Sequence, residues 1–128
     1  MPDRRGIACA GNWIVDIVHT IPHWPNKSDL VHIAREVTGI GGGAANVSMD
    51  LAAFGVDFPV IPVGLIGQDL HGHLVREALR KANLPEDHIR DTPDAPTAHT
   101  HVMTVPGDSR TFFYHPGCND MLDDAHIP

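Results

Sequence analysis

The sequence has few cysteines and few aromatic residues: 2 of its 128 residues are cysteine and 5% are aromatic. Cys9 and Cys118 lie far apart and show no framework spacing, which excludes a small disulfide-stabilised secreted scaffold. Isolated cysteines are typical of a reducing compartment, so we expect a cytoplasmic protein. Hydrophobic residues make up 42% of the chain, enough for a globular core, and the length corresponds to one domain or part of one.

Basic residues are also scarce. Nine Lys and Arg against sixteen Asp and Glu give a formal charge of −7, and the densest basic cluster (Arg76, Arg80 and Lys81) falls where a helix C-terminus is expected. A nucleic-acid surface needs concentrated positive charge, so we expect no nucleic-acid partner. No apolar run approaches the about 20 residues that span a bilayer, and Gly11 and Asn12 interrupt the first apolar stretch, so we expect neither a signal peptide nor a membrane partner.

Two apolar stretches predict buried strands of a parallel sheet. Residues 7–18 and 58–66 are almost continuously apolar, as expected for strands covered on both faces. A helix is expected after the glycines at 41–43, and a second one after Asp69, which is placed to act as its N-cap. The order strand, helix, strand, helix is that of βαβ units. The chain therefore has the pattern of an α/β fold with a Rossmann-like parallel sheet.

The first helix is expected to bury one apolar face. Val47, Leu51 and Phe54 recur at helical spacing, and Gly55 is placed to end the helix as a C-cap. We therefore predict that these three side chains face the core.

Three stretches of higher polarity predict strands outside the buried sheet. Residues 30–38 alternate in polarity, and residues 97–105 and 110–115 are joined by Pro-Gly-Asp-Ser, a strong hairpin signal. We interpret them as a separate small β layer, built from two excursions out of the main domain.

The glycine-rich turn before the first helix has two interpretations. Gly39-x-Gly41-x-x-Ala44 matches the dinucleotide fingerprint, and Asp57 lies near the spacing of a ribose-binding acid. The preceding strand is amphipathic, however, whereas the fingerprint follows a buried strand, and Asp57 precedes the next strand instead of ending it. A Rossmann domain that binds NAD is therefore the less favoured interpretation.

The alternative interpretation combines Asp16 with the glycines and Asn46. Asp16 is expected at the end of the first buried strand, where α/β sheets place ligand contacts. A carboxylate accepts hydrogen bonds from two hydroxyls, and an amide both donates and accepts. Gly42 and Gly43 would let a ligand approach the backbone closely. This mixture of groups suits a polyol.

Four segments, in order along the whole chain, resemble the signatures of the ribokinase-type (pfkB) carbohydrate kinases. Gly11 and Asp16 fit the family's first strand, and residues 41–46, Gly-Gly-Gly-Ala-Ala-Asn, look like its Gly-Gly-x-x-x-Asn turn. Residues 63–72, Val-Gly-Leu-Ile-Gly-Gln-Asp-Leu-His-Gly, are similar to its Val-Gly-x-x-Gly-x-Asp-x-x-Gly element. Residues 115–119, His-Pro-Gly-Cys-Asn, look like its Gly-Ala-Asn turn, with cysteine in place of alanine.

The resemblance implies transfer of a phosphoryl group from ATP, with Mg²⁺, to a hydroxyl of a sugar or related alcohol. It also implies a ribokinase-like three-layer α/β/α sandwich, incomplete in this chain, with a small β-sheet lid over the sugar. Carried over by position, Asp16, Gly42, Gly43 and Asn46 are the substrate-binding residues. Pairing of two lids in a homodimer is a further expectation.

Two positions depart from ribokinase itself. Ribokinase has asparagine at the position of Ile14 and lysine at the position of Gly43. The resemblance therefore does not imply ribose as the substrate. Ile14 and Trp13 are instead predicted to form an apolar wall for another substrate.

The resemblance implies only the N-terminal part of a kinase. Residues 1–18, 39–96 and 116–128 are expected to form the core, and residues 19–38 and 97–115 the lid strands. The family's second signature, a Gly-Ala-Gly-Asp turn with the catalytic aspartate, has no counterpart among these residues. We therefore expect no catalytic residue and no kinase activity in this chain alone. A non-catalytic sugar- or nucleoside-binding module is the alternative.

Ten histidines are unusually many for this length. His99 and His101 would share one face of a strand, which makes a structural zinc site an alternative. No third ligand is apparent nearby, so we expect no metal ligands in this chain. His115 is predicted to pack against other residues, with lining of the sugar pocket as the alternative.

Overall fold

The computed structural model describes residues 4–128, so the first three residues of the predicted core segment 1–18 lie outside the described part. The strands are β1 (Ile7–Ala10), β2 (Ile14–Thr20), β3 (Arg35–Gly41), β4 (Val60–Gly67), β5 (Ile89–Thr92), β6 (His99–Thr104) and β7 (Arg110–His115). Two α-helices, α1 (Gly43–Phe54) and α2 (Leu70–Lys81), precede and follow β4, and two short 3₁₀ turns at Gly117–Met121 and Asp124–His126 end the chain.

The strands form two separate sheets. Strands β1, β4 and β5 make a parallel sheet in the order β1-β4-β5, and the helices α1 and α2 both contact β4. Strands β3, β2, β6 and β7 make a mixed sheet in that order, in which β2 and β6 are parallel and the outer pairs are antiparallel. We call the four-stranded one the second sheet. The predicted α/β fold with a parallel sheet and a separate β layer is confirmed.

The prediction of one continuous strand over residues 7–18 is wrong. The chain leaves the parallel sheet after Ala10, and β2 begins at Ile14 in the second sheet. Gly11 takes a φ of 143° at the break, a backbone region that favours glycine because it has no Cβ. Both strands are apolar, so hydrophobicity alone did not mark the point where the chain changes sheets.

Trp13 fixes this change of direction. Its side chain is fully buried, and its Nε1 donates a hydrogen bond of 3.1 Å to the carbonyl oxygen of Val63 in β4. The indole lies where a side chain of Gly64 would otherwise be, since a Cβ placed on Gly64 would overlap it. Trp13 therefore belongs to the core, and the predicted apolar wall for a substrate is wrong for this residue.

Helix α1 buries a different face from the one predicted. Val47 and Phe54 are exposed, and only Leu51 packs partly against the core. The buried positions of this helix are Ala44, Ala45 and Ser48, all with small side chains. Small residues let the helix backbone approach the sheet closely, whereas larger side chains at these positions would hold it away.

Strand β5 was not predicted. It has only four residues, Ile89–Thr92, of which the first and last are buried and the middle two exposed. A segment this short and polar resembles a loop in sequence, but its pairing with β4 makes it a strand.

Residues 4–128 include no helix with the length and apolarity that crossing a membrane requires.

We predict that replacing Gly64 by alanine destabilises the fold by about 1–3 kcal/mol, because the added methyl group overpacks the contact with buried Trp13. Gly39 is also a strand glycine but has open space around its Cβ position, so Gly39→Ala serves as the matched control and should stay within about 0.5 kcal/mol. Urea unfolding followed by tryptophan fluorescence measures both. Equal midpoints for the two variants would contradict the packing described for Trp13.

Candidate functional site

Asp16 lies in the second sheet, at the third position of β2, and not at the carboxyl end of a strand of the parallel sheet as predicted. Its direct neighbours are Gly39 in β3 and Thr100 in β6. The side chain is half-buried, and no other residue of the described chain forms a hydrogen bond or ion pair with its carboxylate. A carboxylate without protein partners is available to accept hydrogen bonds from a ligand.

The glycine-rich turn lies directly against this carboxylate. A Cβ on Gly41 would overlap Oδ2 of Asp16, so a side chain at this position would displace the carboxylate from where it lies. The next residue, Gly42, has a φ of 97° and precedes helix α1 as its N-cap. Gly43 opens the helix, is exposed and has nothing within 4 Å of its Cβ position. The turn therefore leaves the backbone beside Asp16 open on the side of Gly43.

Asn46 belongs to the first turn of the helix that follows. Its backbone N–H donates to the carbonyl oxygen of Gly42 at 2.9 Å, and its side chain is exposed. The N–H groups of residues 43–45 precede the first intrahelical bond, so they have no intrahelical acceptor and carry the positive end of the helix dipole. No side chain caps α1 to satisfy them. Asp16 thus lies against Gly41, which directly precedes Gly42 and Gly43, and Asn46 follows within the first turn of α1.

The surroundings of the turn do not support a dinucleotide site. The glycines follow β3, which belongs to the second sheet, whereas the dinucleotide fingerprint follows the first strand of a parallel sheet. Asp57 lies before β4 and not at its end. Neither of the features that the fingerprint requires around its glycines is present.

A second network ties the start of helix α2 to the second sheet. The Asp69 carboxylate caps the helix by accepting from the Gly72 N–H at 2.8 Å, as predicted. It also accepts from the backbone N–H and the hydroxyl of Thr97, at 2.9 and 2.7 Å. The Thr97 hydroxyl in turn accepts from the Gly67 N–H at 2.8 Å. The Gly-x-Asp-x-x-Gly motif therefore has a structural role, because it anchors the segment that leads into β6.

Burial raises the pKa of the Asp69 carboxyl, but the hydrogen bonds from Thr97 and Gly72 and the nearby His71 outweigh it and leave the pKa below its ordinary value of 3.8. The charged form is thus the one that the folded state stabilises. This contribution to stability is present above pH 3.8 and is lost as the pH falls through the lowered pKa.

The turn at residues 117–119 packs against β4 and against the segments that lead into β2 and β6. Nδ2 of Asn119 donates to the carbonyl oxygen of Trp13 at 3.4 Å, and the Cys118 N–H donates to Pro96 at 2.8 Å. Cys9 and Cys118 are both buried free thiols, and burial raises the pKa of Cys118. The turn therefore holds the segments before β2 and β6 together, and the Cys118 thiol is protonated at neutral pH.

The histidines are arranged differently from the sequence-based expectation. His99 and His101 do share a face of β6, but among residues 4–128 no group of three ligating side chains is placed to hold a metal ion. His115 pairs with His99 across the strands, and their rings stack at 5.2 Å. Alternate residues of a strand face opposite sides, so His115 lies on the face opposite Asp16. His115 therefore packs against His99 and lies away from the Asp16 carboxylate.

The sequence matches the family described as pfkB family carbohydrate kinase over residues 4–128. Among curated proteins it is 29% identical over 123 residues to a probable chloroplastic fructokinase-6 from Arabidopsis thaliana, covering 94% of this chain and 30% of the relative. It is 31% identical over 101 residues to a ribokinase from the same organism, covering 76% of this chain and 26% of the relative. The chain thus spans less than a third of these relatives.

A solved structure shows the same architecture. The structure of Arabidopsis thaliana ribokinase complexed with ribose and ATP superposes with a TM-score of 0.78 at 27% sequence identity, and the match covers 89% of this chain and 36% of that one. The expected ribokinase-like fold is confirmed.

We predict that Asp69→Ala destabilises the protein by about 1–3 kcal/mol at neutral pH, because it removes a helix cap and leaves the Thr97 N–H without its acceptor. The loss of stability of the unmodified protein below pH 3.8 should also become shallower in the variant. Thermal unfolding from pH 7 to pH 3 measures both effects. Asp87 is an exposed acid on the loop before β5, so Asp87→Ala is the control, and an equal effect of the two substitutions would contradict the anchoring role.

Proposed function

Since this chain belongs to the pfkB family of carbohydrate kinases, we propose that it serves the ATP-dependent phosphorylation of a sugar or related alcohol. In this proposal the chain supplies the lid of the kinase and the sugar-binding corner, by which we mean Asp16, Gly42, Gly43 and Asn46. The observation that carries it is the Asp16 carboxylate, which has no protein partner among the described residues and lies against the open glycine turn.

The corner offers the groups that a polyol needs. The Asp16 carboxylate would accept hydrogen bonds from two neighbouring hydroxyls, and the exposed Asn46 amide would donate one and accept another. Gly42 and Gly43 have no side chains, so a hydroxyl oxygen would reach the N–H groups at the start of α1. Ile14 lies two residues before Asp16 on the same face of β2 and would place an apolar surface beside the carboxylate.

We propose that the second sheet acts as the lid over the sugar. It carries Asp16, so its movement toward the parallel sheet would bring the carboxylate onto the substrate and exclude water from the reacting hydroxyl. The core then comprises residues 4–10, 42–96 and 116–128. Residues 14–18 and 39–41 join 19–38 and 97–115 in the lid, because β2 and β3 belong to the second sheet.

The face of the second sheet that carries Asp16 supports pairing of two lids. Phe112 and Tyr114 of β7 lie on this face, by strand register, and are 61% and 48% exposed. Val37 of β3 lies on the same face and is 47% exposed. Burying these side chains against a second copy would remove apolar surface from water. We therefore propose a homodimer through the lid as the assembled state.

ATP would supply the phosphoryl group, and Mg²⁺ would neutralise its charge in the complete enzyme. The described residues do not fit the metal, because no three ligating side chains among them converge, so we derive no step through it. We propose that ATP and Mg²⁺ are held mainly by residues other than these 128, and that this chain alone has no turnover.

We also propose a cytoplasmic location, which the buried free thiols of Cys9 and Cys118 support.

We predict that the chain binds at least one member of a panel of pentoses, hexoses, sugar acids and nucleosides, and that Asp16→Asn weakens this binding at least about tenfold, the effect of about 1.4 kcal/mol. Saturation-transfer NMR with the panel suits the measurement because it detects weak complexes. Asp29 is an exposed acid in the loop before β3, so Asp29→Asn is the matched control. Unchanged binding in Asp16→Asn would contradict the proposed site.

We also predict no sugar-dependent release of ADP by this chain at protein concentrations where the same assay detects an active kinase. The reason is that phosphoryl transfer depends on positioning and charge neutralisation of the phosphate, and no group of three ligating side chains among residues 4–128 could hold the Mg²⁺ ion. A coupled ADP assay with ATP, Mg²⁺ and each sugar that binds measures this. Turnover above the sugar-free control would overturn the proposal that the chain is inactive alone, and would leave the sugar-binding proposal standing.

A further inference from the structure

Five of the ten histidines lie next to one another, although they come from four different elements of the fold. The members of this histidine stack are His71 of α2, His99 and His101 of β6, His115 of β7 and His19 of β2. The ring centroids of His99 lie 5.0 Å from His71, 5.2 Å from His115 and 5.8 Å from His101. The rings of His101 and His19 stack at 5.3 Å. The stack therefore links helix α2 with the second sheet.

Strand register explains why the rings meet. His99 is directly opposite His115 in β7, and His101 lies two residues further along β6 on the same face. His71 approaches from the first turn of α2, which the Asp69 network holds beside the start of β6. Asp16 lies on the other face of the sheet, so the histidine stack is outside the proposed sugar site.

Hydrogen bonds assign most of the ring nitrogens to neutral rings. Nδ1 of His19 lies 3.2 Å from Oε2 of Glu36, although the two atoms do not have hydrogen-bond geometry. Because a carboxylate attracts a proton, we assign the proton of His19 to Nδ1, and its Nε2 then accepts from Nδ1 of His101 at 3.0 Å. Nδ1 of His99 donates to the carbonyl oxygen of Thr97 at 3.0 Å. His101 and His99 therefore each keep one unprotonated Nε2, where a further proton would bind.

The protonation of His115 argues against metal binding as the role of the histidine stack. Nδ1 of His115 accepts from the Gly117 N–H at 3.0 Å, so the proton of this neutral ring is on Nε2. Neither nitrogen of His115 then has a lone pair free for a metal ion. This agrees with the absence of a metal-binding group of three among residues 4–128.

The charges around the histidine stack do little to compensate further protons. Glu36 of β3 faces His19, but its side chain is 56% exposed to solvent. Asp69 lies near His71 and attracts a positive charge there, but its carboxylate accepts hydrogen bonds from Thr97 and Gly72 and makes none with the ring. His71 is the second residue of α2, where the positive end of the helix dipole disfavours a cation.

The pKa of His101 reflects this environment. Burial lowers the pKa of His101 below its ordinary value of 6.5, and the neighbouring His19, His99 and His71 lower it further, while Glu36 opposes them. The folded state thus favours the neutral ring more than the unfolded state does. The resulting stability is complete above pH 6.5 and is lost progressively as the pH falls below it.

We propose that the histidine stack is an acid-sensitive contact, which holds the second sheet against helix α2 while its rings are neutral and loosens it in mildly acidic solution. Protonation of adjacent rings at ring separations of 5.0 to 5.8 Å places like charges side by side. The contact between His71 and His99 is the one whose loss would release helix α2 from the second sheet, since it joins these two parts of the fold.

Hydrogen exchange measured by mass spectrometry on the whole chain at pH 7.5 and pH 5.5 tests this, after correction for the intrinsic pH dependence of exchange. Between pH 7.5 and pH 5.5, we expect the protection of β6 and β7 against exchange to fall at least about tenfold more than the protection of β4. A tenfold change corresponds to a shift of one unit in the pKa of a single group. Equal losses in β4 and the second sheet would overturn the proposal, because they would report general unfolding. The measurement requires neither sugar nor ATP, so its outcome is independent of the proposed kinase function.

Two variants locate the effect. His99→Gln removes the ring that contacts three others, and we expect it to reduce the acid-induced loss in β6 and β7 to less than about threefold. His32→Gln changes an exposed loop histidine outside the stack and should leave the loss unaltered. If His99→Gln does not fold, His71→Gln tests the same contact from the helix side. A full loss retained in every folded stack variant, or abolished by His32→Gln, would overturn the proposal.

Discussion

The placement of Trp13 against β4 is the constraint on which the arrangement of the two sheets depends. Its indole fills the space left by Gly64 and donates to Val63, while its own carbonyl oxygen accepts from Asn119. These contacts fix the point where the chain leaves the parallel sheet and enters the second one. Asp16 follows only three residues later, so the position of its carboxylate relative to the core is set by a buried aromatic ring and by the absence of a side chain at position 64.

A second connection acts at the other end of the interface between the sheets. Asp69 caps α2 and at the same time holds Thr97, so the helix start and the entry to β6 are fixed by one carboxylate. Because β6 pairs with β2, the two anchors together position the strand that carries Asp16. A lid that opens and closes would have to move about these two points, and the histidine stack lies close to the second of them.

The motifs, the two helices and the strands other than β5 could be predicted from the sequence, with β1 and β2 merged into one, because glycine, aspartate and apolar periodicity act locally. The buried face of α1 could not: Val47 and Phe54 have the right spacing, yet the close approach of helix and sheet selects Ala44 and Ala45. The change of sheet inside residues 7–18 was also missed, since apolar residues line both strands. In each case the deciding quantity was the space available in the packed structure, which periodicity does not report.

By itself the sequence determined the α/β class, the family resemblance, the glycine turn beside Asn46 and the cap at Asp69, because each rests on residues close together in the chain. Tertiary structure alone decided that Asp16 lies against Gly41, that the Gly-x-Asp-x-x-Gly motif anchors Thr97, and that five histidines from distant positions stack. The physical reason is strand register. Which residues of β2, β3, β6 and β7 become neighbours is fixed by pairing between strands far apart in sequence, and no local pattern encodes that pairing.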